Sequence, residues 1–288
     1  MARRGKRRNT DMDVSPTTGL IMTIVFTFLS VAFLYPILLV LLNSFKSKLY
    51  ISDQPFALPN DQTYVGLSNY TDGVSKTGFW GAAVNSVFIT VFSVIAIILL
   101  TSMCAWWITR VKCLFSTLTY FVFVFAMIVP FQMVMFTLSK VADMLHLSNP
   151  IGIIFVYVGF GAGQAVFMFS GFVKSIPVSL EEAAMLDGCT PIQTFFQVVF
   201  PVLKPTTITV AILQAMWIWN DYLLPVLVLS SDYKTIPIAV QYLRGGYGSI
   251  DMGALMGMLV LAIVPIVVFY LSCQKYIIRG VAAGAVKG

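Results

Sequence analysis

Six long apolar runs constrain the fold of this chain more than any other feature. Each is long enough to cross a bilayer as a helix, which takes about 20 residues, and they occupy residues 18–43, 84–109, 115–138, 150–173, 206–230 and 252–274. The mean hydropathy of +0.88 is far too high for an ordinary soluble domain. Because the runs are continuous and lack the alternation of barrel strands, we predict an all-α membrane protein with six transmembrane helices.

The basic residues divide unequally between the two membrane sides that six spans define. Twelve of the 18 Lys and Arg residues fall on the side that holds both termini, so the positive-inside rule places both termini in the cytoplasm. This distribution accounts for the net charge of +6, and we predict no nucleic-acid partner. The predicted organisation is a basic N-terminal tail (1–17), a transmembrane domain (18–275) and a cytoplasmic C-terminal tail (276–288).

The loop between the fourth and fifth runs, residues 174–205, contains the charged stretch SLEEAAMLDG. Ser179 and Glu182 fit a capping box, in which each side chain accepts a hydrogen bond from the other residue's backbone N–H. Good helix formers follow as far as Leu186, and Gly188 can adopt the left-handed conformation that ends a helix. We therefore predict a short helix here, on the cytoplasmic side.

A second helix is predicted directly after the first. Thr190 is a candidate N-cap, Pro191 suits the first helical position, and Gln193 completes a second capping box. Four apolar residues then fall at helical spacing on one face, namely Ile192, Phe195, Phe196 and Val199. Such a stripe is typical of a helix that lies along the membrane surface. Because helices this short are marginal in water, the loop either packs under its own bundle or docks a cytosolic partner.

The segment EEAAMLDGCTPIQTFFQVVFPVLKP resembles the EAA loop of ABC importer permeases. The positions that match the loop's pattern are Glu182, Ala183, Ala184, Gly188 and Pro201. Before the proline, the pattern has an Ile and a Leu. This chain has Val198 and Phe200 at those positions, so both remain apolar. The segments WNDYLLPVLVLSSDYKTIPIAV and QKYIIRGVAAGAVKG are similar to the smaller permease of carbohydrate-uptake ABC transporters of the maltose and multiple-sugar type. The resemblance extends from the first apolar run to the C-terminus.

The resemblance implies an importer permease in the cytoplasmic (inner) membrane of a bacterium or archaeon. Its partners would be a second, homologous permease subunit, two cytosolic ATPase subunits, an extracytoplasmic sugar-binding protein and membrane lipid. The solute would be a sugar, with an oligosaccharide as the first expectation and a polyol or sugar phosphate as alternatives. ATP and Mg²⁺ would bind to the ATPase subunits, and we expect no cofactor, metal site or catalytic residue in this chain.

The resemblance also assigns roles to individual residues of the loop. In that family the EAA helix sits in a cleft of the ATPase and transmits closure of the cleft to the membrane. The implied coupling residues are the matched positions Glu182, Ala183, Ala184, Gly188 and Pro201. The role of Glu182 stays open, since the predicted capping box needs the same carboxylate as the docking contact.

Two further segments acquire expected roles from the resemblance. Residues 241–251 resemble an outer loop that enters the binding protein and helps to displace the sugar. Its mobility would come from Gly245, Gly246 and Gly248, and an ordinary tight loop is the alternative. The C-terminal tail is similar to one that follows the ATPase interface, and its glycines are Gly280, Gly284 and Gly288.

The fifth run contains MWIWNDYLLPV, a set of residues suited to a neutral sugar. Asp221 is the only acid within a run, and since burial of a carboxylate in lipid costs about 2.5–3.5 kcal/mol, it should face a cavity or a membrane surface. The substrate-pathway candidates are Trp217, Trp219, Asn220, Asp221 and Tyr222, with Gln132 and Gln214 as weaker ones. Interfacial anchoring and hydrogen bonds between helices are the alternatives. In the maltose-type systems the other permease holds most of the sugar.

Several prolines and glycines are expected to shape the helices. The prolines that lie within predicted spans, where they should bend or break the helix, are Pro36, Pro130, Pro225 and Pro265. Gly253 and Gly257 form a G-x-x-x-G pattern near the start of the sixth span. This pattern is typical of close packing, against either the partner permease or a neighbouring helix.

Two rival functions agree less well with the sequence. A secondary transporter needs its own ion site and usually shows interrupted helices in two repeats, and no such repeat is visible. A membrane enzyme needs catalytic residues, but the chain has one His and neither H-E-x-x-H nor G-x-S-x-G. The chain also lacks G-x-x-x-x-G-K-[ST], so we do not expect it to hydrolyse ATP itself.

Overall fold

The computed structural model describes residues 15–244 and 250–285, and nearly all regular structure in these ranges is helical. Within them the only β-pairing is a single bridge between Lys46 and Tyr64. The predicted all-α fold is confirmed. Most of the predicted basic tail lies outside the described residues, as do Gly245, Gly246, Gly248 and Gly288.

The helices of the described residues follow one another with short connections. In chain order they are α1 (Pro16–Asn43), α2 (Lys48–Asp53), α3 (Ser68–Thr77), α4 (Phe79–Arg110), α5 (Leu114–Ile128), α6 (Phe131–Met144), α7 (Gly152–Val173), α8 (Val178–Leu186), α9 (Pro191–Thr194), a π-helical segment (Phe195–Val199), α10 (Phe200–Val202), α11 (Lys204–Asn220), α12 (Leu223–Val228), α13 (Ile236–Gln241), a 3₁₀ turn (Tyr242–Arg244) and α14 (Met252–Ala285).

Four of these helices are individually long and apolar enough to cross a membrane. They are α1, α4, α7 and the part of α14 from Met252 to Lys275. Two further crossings are available if each of two bent pairs is counted as a single span, which gives up to six in the part of the chain that is described. The pairs are Leu114–Ile128 with Phe131–Met144, and Pro191–Val202 with Lys204–Asn220, so the second pair begins earlier than the predicted run 206–230 and ends before α12. The last helix continues to Ala285, so the backbone at Gly280 and Gly284 in the predicted C-terminal tail is helical.

Two predicted spans differ from straight helices. The run 115–138 divides into α5 and α6, which meet at 107°. Val129 is extended there because the proline that follows it, Pro130, disfavours the helical conformation of the residue before it. The run 206–230 divides at Asp221, which is also extended, and α12 begins two residues later. Pro225 lies in the first turn of α12, where its missing N–H costs little.

The other two prolines do not interrupt their helices. Pro36 lies inside α1 and Pro265 inside α14, and both helices are continuous through them. Of the four prolines within predicted spans, Pro130 lies directly at a break, Pro225 lies in the first turn after one, and Pro36 and Pro265 break neither helix.

The main core lies between α4, α7 and α11. Ile97 of α4 and Tyr157 and Phe169 of α7 are fully buried within it. Gly161 allows the helices to approach, since a Cβ at this position would lie 2.7 Å from Ile97 Cδ1 and 2.8 Å from Oε1 of Gln214. We refer to the end of this bundle where α4 finishes and α8 lies as the α8 end, and to the opposite one as the α13 end.

A second, smaller core lies at the α13 end between α3, α13 and α14. Met258 of α14 is fully buried there, and the G-x-x-x-G pattern faces α3. A Cβ at Gly253 would lie 2.3 Å from Oδ1 of Asn69, and one at Gly257 would lie 3.2 Å from the Asn69 carbonyl oxygen. In this chain the pattern therefore serves close packing against a neighbouring helix of the same subunit.

Candidate functional site

The charged helix α8 begins earlier than the sequence predicts. Its N-cap is Pro177, no side chain caps it, and Ser179 is the second residue inside the helix. The capping box predicted between Ser179 and Glu182 is therefore wrong, because the bend at Ile176 and Pro177 starts the helix before Ser179 is reached. Glu182 is exposed and free of the capping role.

The end of α8 is as predicted. Gly188 has a left-handed φ of +88°. Its N–H donates to the carbonyl oxygen of Met185 at 3.1 Å, and the N–H of Cys189 donates to that of Ala184 at 3.0 Å. These two bonds form a Schellman motif, which satisfies carbonyls that the helix end would otherwise leave without partners.

The second capping box is confirmed, but the helix after it is irregular. Gln193 and Thr190 cap each other reciprocally at the start of α9. After one turn the backbone becomes π-helical over Phe195–Val199. The π-helical turn changes the helical spacing, so the predicted apolar stripe does not share one face. Phe195 and Val199 are buried, whereas Ile192 and Phe196 are exposed by 64% and 43%.

The residues expected to couple the chain to an ATPase lie on different faces of α8. Glu182, Ala183 and Gly188 are exposed, and so is Pro201 in α10. Ala184 is buried at 8% exposure, so it faces the chain's own bundle. The exposed face of α8, which we define as Glu182, Ala183, Met185 and Leu186, carries one carboxylate among apolar and small side chains.

The buried face of α8 holds a charged group that no sequence pattern marks as buried. Glu181 is only 4% exposed and receives hydrogen bonds from two residues in the last turn of α4. Arg110 Nη2 lies 2.7 Å from Glu181 Oε1, and Arg110 Nε lies 2.9 Å from the same oxygen. Trp106 Nε1 donates to Oε2 at 3.0 Å. We call these three residues the Glu181 cluster.

The substrate-pathway candidates separate into two groups at the break between α11 and α12. Trp219, Asn220 and Tyr222 line a cavity of about 390 Å³ between the α11–α12 break, α13 and α14. Trp217 and Asp221 face α7 instead. The ring of Trp217 meets Tyr157 edge-on with centroids 5.4 Å apart, and the Tyr157 hydroxyl donates to Asp221 Oδ2 at 3.1 Å.

The contacts of Asp221 give this carboxylate a structural explanation. Its Oδ1 accepts from the backbone N–H groups of Leu223 and Leu224 at 3.0 and 3.3 Å, which caps the start of α12. The Asp221 carboxylate is therefore hydrogen-bonded within the protein and not exposed to lipid without partners. It is not among the residues that line the 390 Å³ cavity.

The two glutamine candidates do not join this cavity. Gln132 is exposed at the start of α6. Gln214 is 2% exposed, and its Nε2 donates to Oε1 of Gln164 at 3.1 Å, which links α11 to α7. Hydrogen bonding between helices, the alternative considered for Gln214, is what the structure shows. Among the described residues, no group of three or more His, Cys, Asp or Glu side chains could hold a metal ion.

Comparisons with known proteins identify the family. The family model described as "binding-protein-dependent transport system inner membrane component" matches residues 97–283. The chain belongs to this family. It is accordingly a permease subunit of an ABC importer, as the sequence predicted, and not itself an enzyme.

Similar proteins agree with this assignment over nearly the whole chain. The probable starch degradation products transport system permease protein of Thermoanaerobacterium thermosulfurigenes is 38% identical over 268 residues, which cover 93% of this chain and 96% of the relative. The multiple sugar-binding transport system permease protein of Streptococcus mutans is 34% identical, with 92% and 95% covered.

A solved structure is similar to this permease in its fold. It is the crystal structure of a bacterial ABC transporter involved in the import of the acidic polysaccharide alginate, and one of its chains superposes with a TM-score of 0.74. The two sequences are 26% identical, and the match covers 90% of this chain and 96% of the other.

Proposed function

We propose that this permease carries sugars, chiefly oligosaccharides, across the cytoplasmic membrane by alternating access coupled to ATP hydrolysis in partner subunits. The observation that carries the proposal is the placement of α8. This helix of nine residues is fixed to the end of α4 through Glu181 and presents Glu182 and Ala183 on its other side. Such a helix provides an anchored surface on which a motor subunit can act.

The exposed face of α8 has the chemistry of a docking surface for a cytosolic ATPase. Leu186 is 89% exposed and Met185 is 50% exposed, so their burial by a partner is favourable. Ala183 is small enough for close approach. Glu182, which no longer has a capping role, is available for a charge-assisted hydrogen bond to a basic group of the partner.

The full importer would contain several other proteins. We propose a second, homologous permease beside this one, two ATPase subunits that bind ATP and Mg²⁺, and an extracytoplasmic sugar-binding protein. In this arrangement the α8 end and both termini lie in the cytoplasm. Helices α13 and α14, which precede and follow the segment 245–249 in the sequence, both line the 390 Å³ cavity, and this supports a role of the segment in contact with the binding protein.

The proposed solute class rests on the cavity and on the relatives. Trp219, Asn220 and Tyr222 combine aromatic rings and an amide, the groups that bind neutral sugars. None of the described residues that line the cavity is basic, which favours a neutral sugar over a sugar phosphate. The names of the relatives concern starch degradation products and multiple sugars, and the structural neighbour takes part in alginate import.

Uptake by the complete transporter in proteoliposomes tests this function. We expect labelled oligosaccharide to accumulate only when ATP is inside and the binding protein outside. Trp219→Ala should lower uptake by about 2- to 10-fold, the effect of losing one aromatic contact. Trp80→Ala is the matched control, because Trp80 is 68% exposed and does not line the cavity. Uptake driven by an ion gradient without ATP would contradict the proposal.

A further inference from the structure

The Glu181 cluster joins α8 to α4 through a buried and directional contact. The Arg110 guanidinium approaches Glu181 with both Nε and Nη2, and the carboxylate also accepts from Trp106. The side chains of Arg110 and Glu181 are only 17% and 5% exposed. A bidentate contact between a guanidinium and a carboxylate fixes orientation as well as distance. The contact therefore resists rotation of α8 against α4.

The same two α4 side chains also hold the rest of the loop. Arg110 Nη2 donates to the carbonyl oxygen of Ile176 at 2.9 Å, in the bend between α7 and α8. The ring of Trp106 packs against Phe195 of the π-helical segment, with centroids 5.5 Å apart. The last turn of α4 therefore contacts the bend before α8, the first turn of α8 and the helical segment after it.

The apolar residues of α8 cannot provide this attachment themselves. Leu180, Met185 and Leu186 are 45%, 50% and 89% exposed, and a helix of nine residues has little stability of its own. Helix α8 also packs against α9 and the π-helical segment and buries Ala184, but its ionic contact to α4 is made at Glu181.

Helix α4 connects this attachment to the opposite end of the bundle. It runs without a break for 32 residues, or about 48 Å. Near its first turns Asn85 Nδ2 donates to the carbonyl oxygen of Lys234 at 3.1 Å, and Ser86 Oγ accepts from the N–H of Ile236 at 2.8 Å. Ile236 is the first residue of α13, which lines the 390 Å³ cavity and precedes the segment 245–249.

We propose that Glu181 is a positioning residue that makes α8 and α4 move as one body, through Arg110 and Trp106. The inference rests on the proposed function, because the force on α8 would come from a docked ATPase. The two adjacent glutamates then have different tasks. Glu182 binds the motor subunit, and Glu181 passes the displacement to α4 and thereby to α13 and the cavity. Without Glu181, α8 would tilt under its partner while α4 stayed in place.

The test measures coupling rather than activity alone. The complete transporter is reconstituted in proteoliposomes, and sugar uptake and binding-protein-stimulated ATP hydrolysis are measured on the same preparation. Glu181→Gln should lower the number of sugars imported per ATP by about tenfold, within the usual range of coupling between sites. Glu182→Gln, the matched change on the exposed face, should instead weaken binding of the ATPase subunits.

A double-mutant cycle identifies the contact. The quantity compared is the ratio of sugars imported to ATP hydrolysed. If Glu181 acts through Arg110, the double variant Arg110→Gln and Glu181→Gln should lower this ratio no further than either single change. If Glu181→Gln does not assemble, the ratio is measured on Trp106→Phe, which removes one donor and keeps the ring against Phe195. A normal ratio in the assembled variant, or a proportional loss of uptake and hydrolysis, would overturn the proposal. A wild-type transporter without stimulated hydrolysis would instead refute the proposed function.

Discussion

Glu181 and Glu182 show how strongly adjacent residues of a short helix can differ. Glu181 is buried and accepts hydrogen bonds from three nitrogen donors, whereas Glu182 is exposed, because successive side chains on a helix point about 100° apart. Breaking a buried ion pair from one side costs about 3–5 kcal/mol, whereas an exposed carboxylate contributes little to stability. The apolar residues of α8 are largely exposed, so hydrophobic periodicity could not have revealed which glutamate faces inward.

Gly188→Ala should destabilise the end of α8 through the backbone alone. Gly188 has a φ of +88°, and no atom lies within 4 Å of the Cβ that the substitution would add. The expected cost is therefore the left-handed strain of an L-residue, about 1–2 kcal/mol. We expect hydrogen exchange of the amides at 185–189 to become faster by the corresponding factor of about 5 to 30, measured on the solubilised protein by mass spectrometry.

Gly171→Ala is the control for this substitution. Gly171 lies in α7, and a Cβ there would also have no neighbour within 4 Å. Its conformation is helical, so alanine should be neutral or stabilising by up to about 1 kcal/mol. Equal effects of the two substitutions would show that the left-handed conformation of Gly188 is not the cause.

At the scale of elements, the two breaks illustrate what a single sequence can and cannot specify. The break between α5 and α6 follows from Pro130, whose effect on the preceding residue is local. The break between α11 and α12 depends on the Asp221 carboxylate, which caps α12 and binds Tyr157 from another helix. Helical spacing ends at that break, so it could not predict that Tyr222 faces the cavity while Asp221 does not.

In the loop around α8, too, local features could be predicted and features that depend on distant contacts could not. The capping box at Thr190 and the left-handed Gly188 that ends α8 were predictable, since each is a pattern within a few residues. The π-helical segment Phe195–Val199 was not, because no short sequence pattern specifies a π-turn, and its contact with Trp106 joins it to a distant part of the chain.

The ion pair between α3 and α14 should make their contact sensitive to acid. Lys76 Nζ lies 2.6 Å from Asp251 Oδ2. Burial alone would raise the pKa of Asp251, but the Lys76 ammonium and the N–H of Ala254 together hold the pKa below its usual value. A carboxyl with a lowered pKa in the folded state stabilises the protein above its unfolded pKa, and this contribution is lost as the pH falls through the folded pKa.

Lys76→Met should therefore reduce this acid loss. Without the ammonium, burial has a larger share in setting the pKa of Asp251, so the folded-state pKa moves back toward the unfolded value and less stability depends on ionisation of the carboxyl. We expect the thermal unfolding midpoint of the variant in detergent to lie below that of the wild type at pH 7, and the difference to shrink as the pH falls to 3. The stability difference should stay below about 1 kcal/mol, because the pair is partly exposed. Lys140→Met removes the same charge from α6 and should leave the pH dependence of the unfolding midpoint unchanged.

At the scale of the whole molecule, the sequence predicted composition-driven features better than contacts. Hydropathy is carried by each segment separately, so the helical class and the presence of several helices long and apolar enough to cross a membrane could be predicted. The pairing of Arg110 with Glu181 joins residues 71 positions apart, and nothing local to either residue specifies the other. From the sequence, Arg110 is identifiable only as one of the basic residues that orient the chain.

The threading of the chain stays a prediction, and Cys113 offers a way to test it. Cys113 is exposed between α4 and α5, three residues after Arg110, and so lies at the α8 end. The backbone N–H of Ser116 donates a hydrogen bond to the sulfur of Cys113, and this contact is the main reason that the pKa of the thiol is lowered. A lower pKa increases the thiolate fraction at neutral pH, and the thiolate is the form that reacts with a maleimide.

A membrane-impermeant maleimide should therefore label Cys113 in inside-out vesicles and leave it unlabelled in right-side-out vesicles. The protein would carry alanine at the other cysteines, Cys104, Cys189 and Cys273. The matched control combines Cys113→Ala with Asp61→Cys, since Asp61 is exposed between α2 and α3 and is predicted on the outer side. The Asp61→Cys thiol should be labelled in right-side-out vesicles and stay unlabelled in inside-out vesicles. If Cys113 reacted from outside and the Asp61→Cys thiol from inside, the chain would be threaded the other way, and α8 could not meet a cytosolic ATPase.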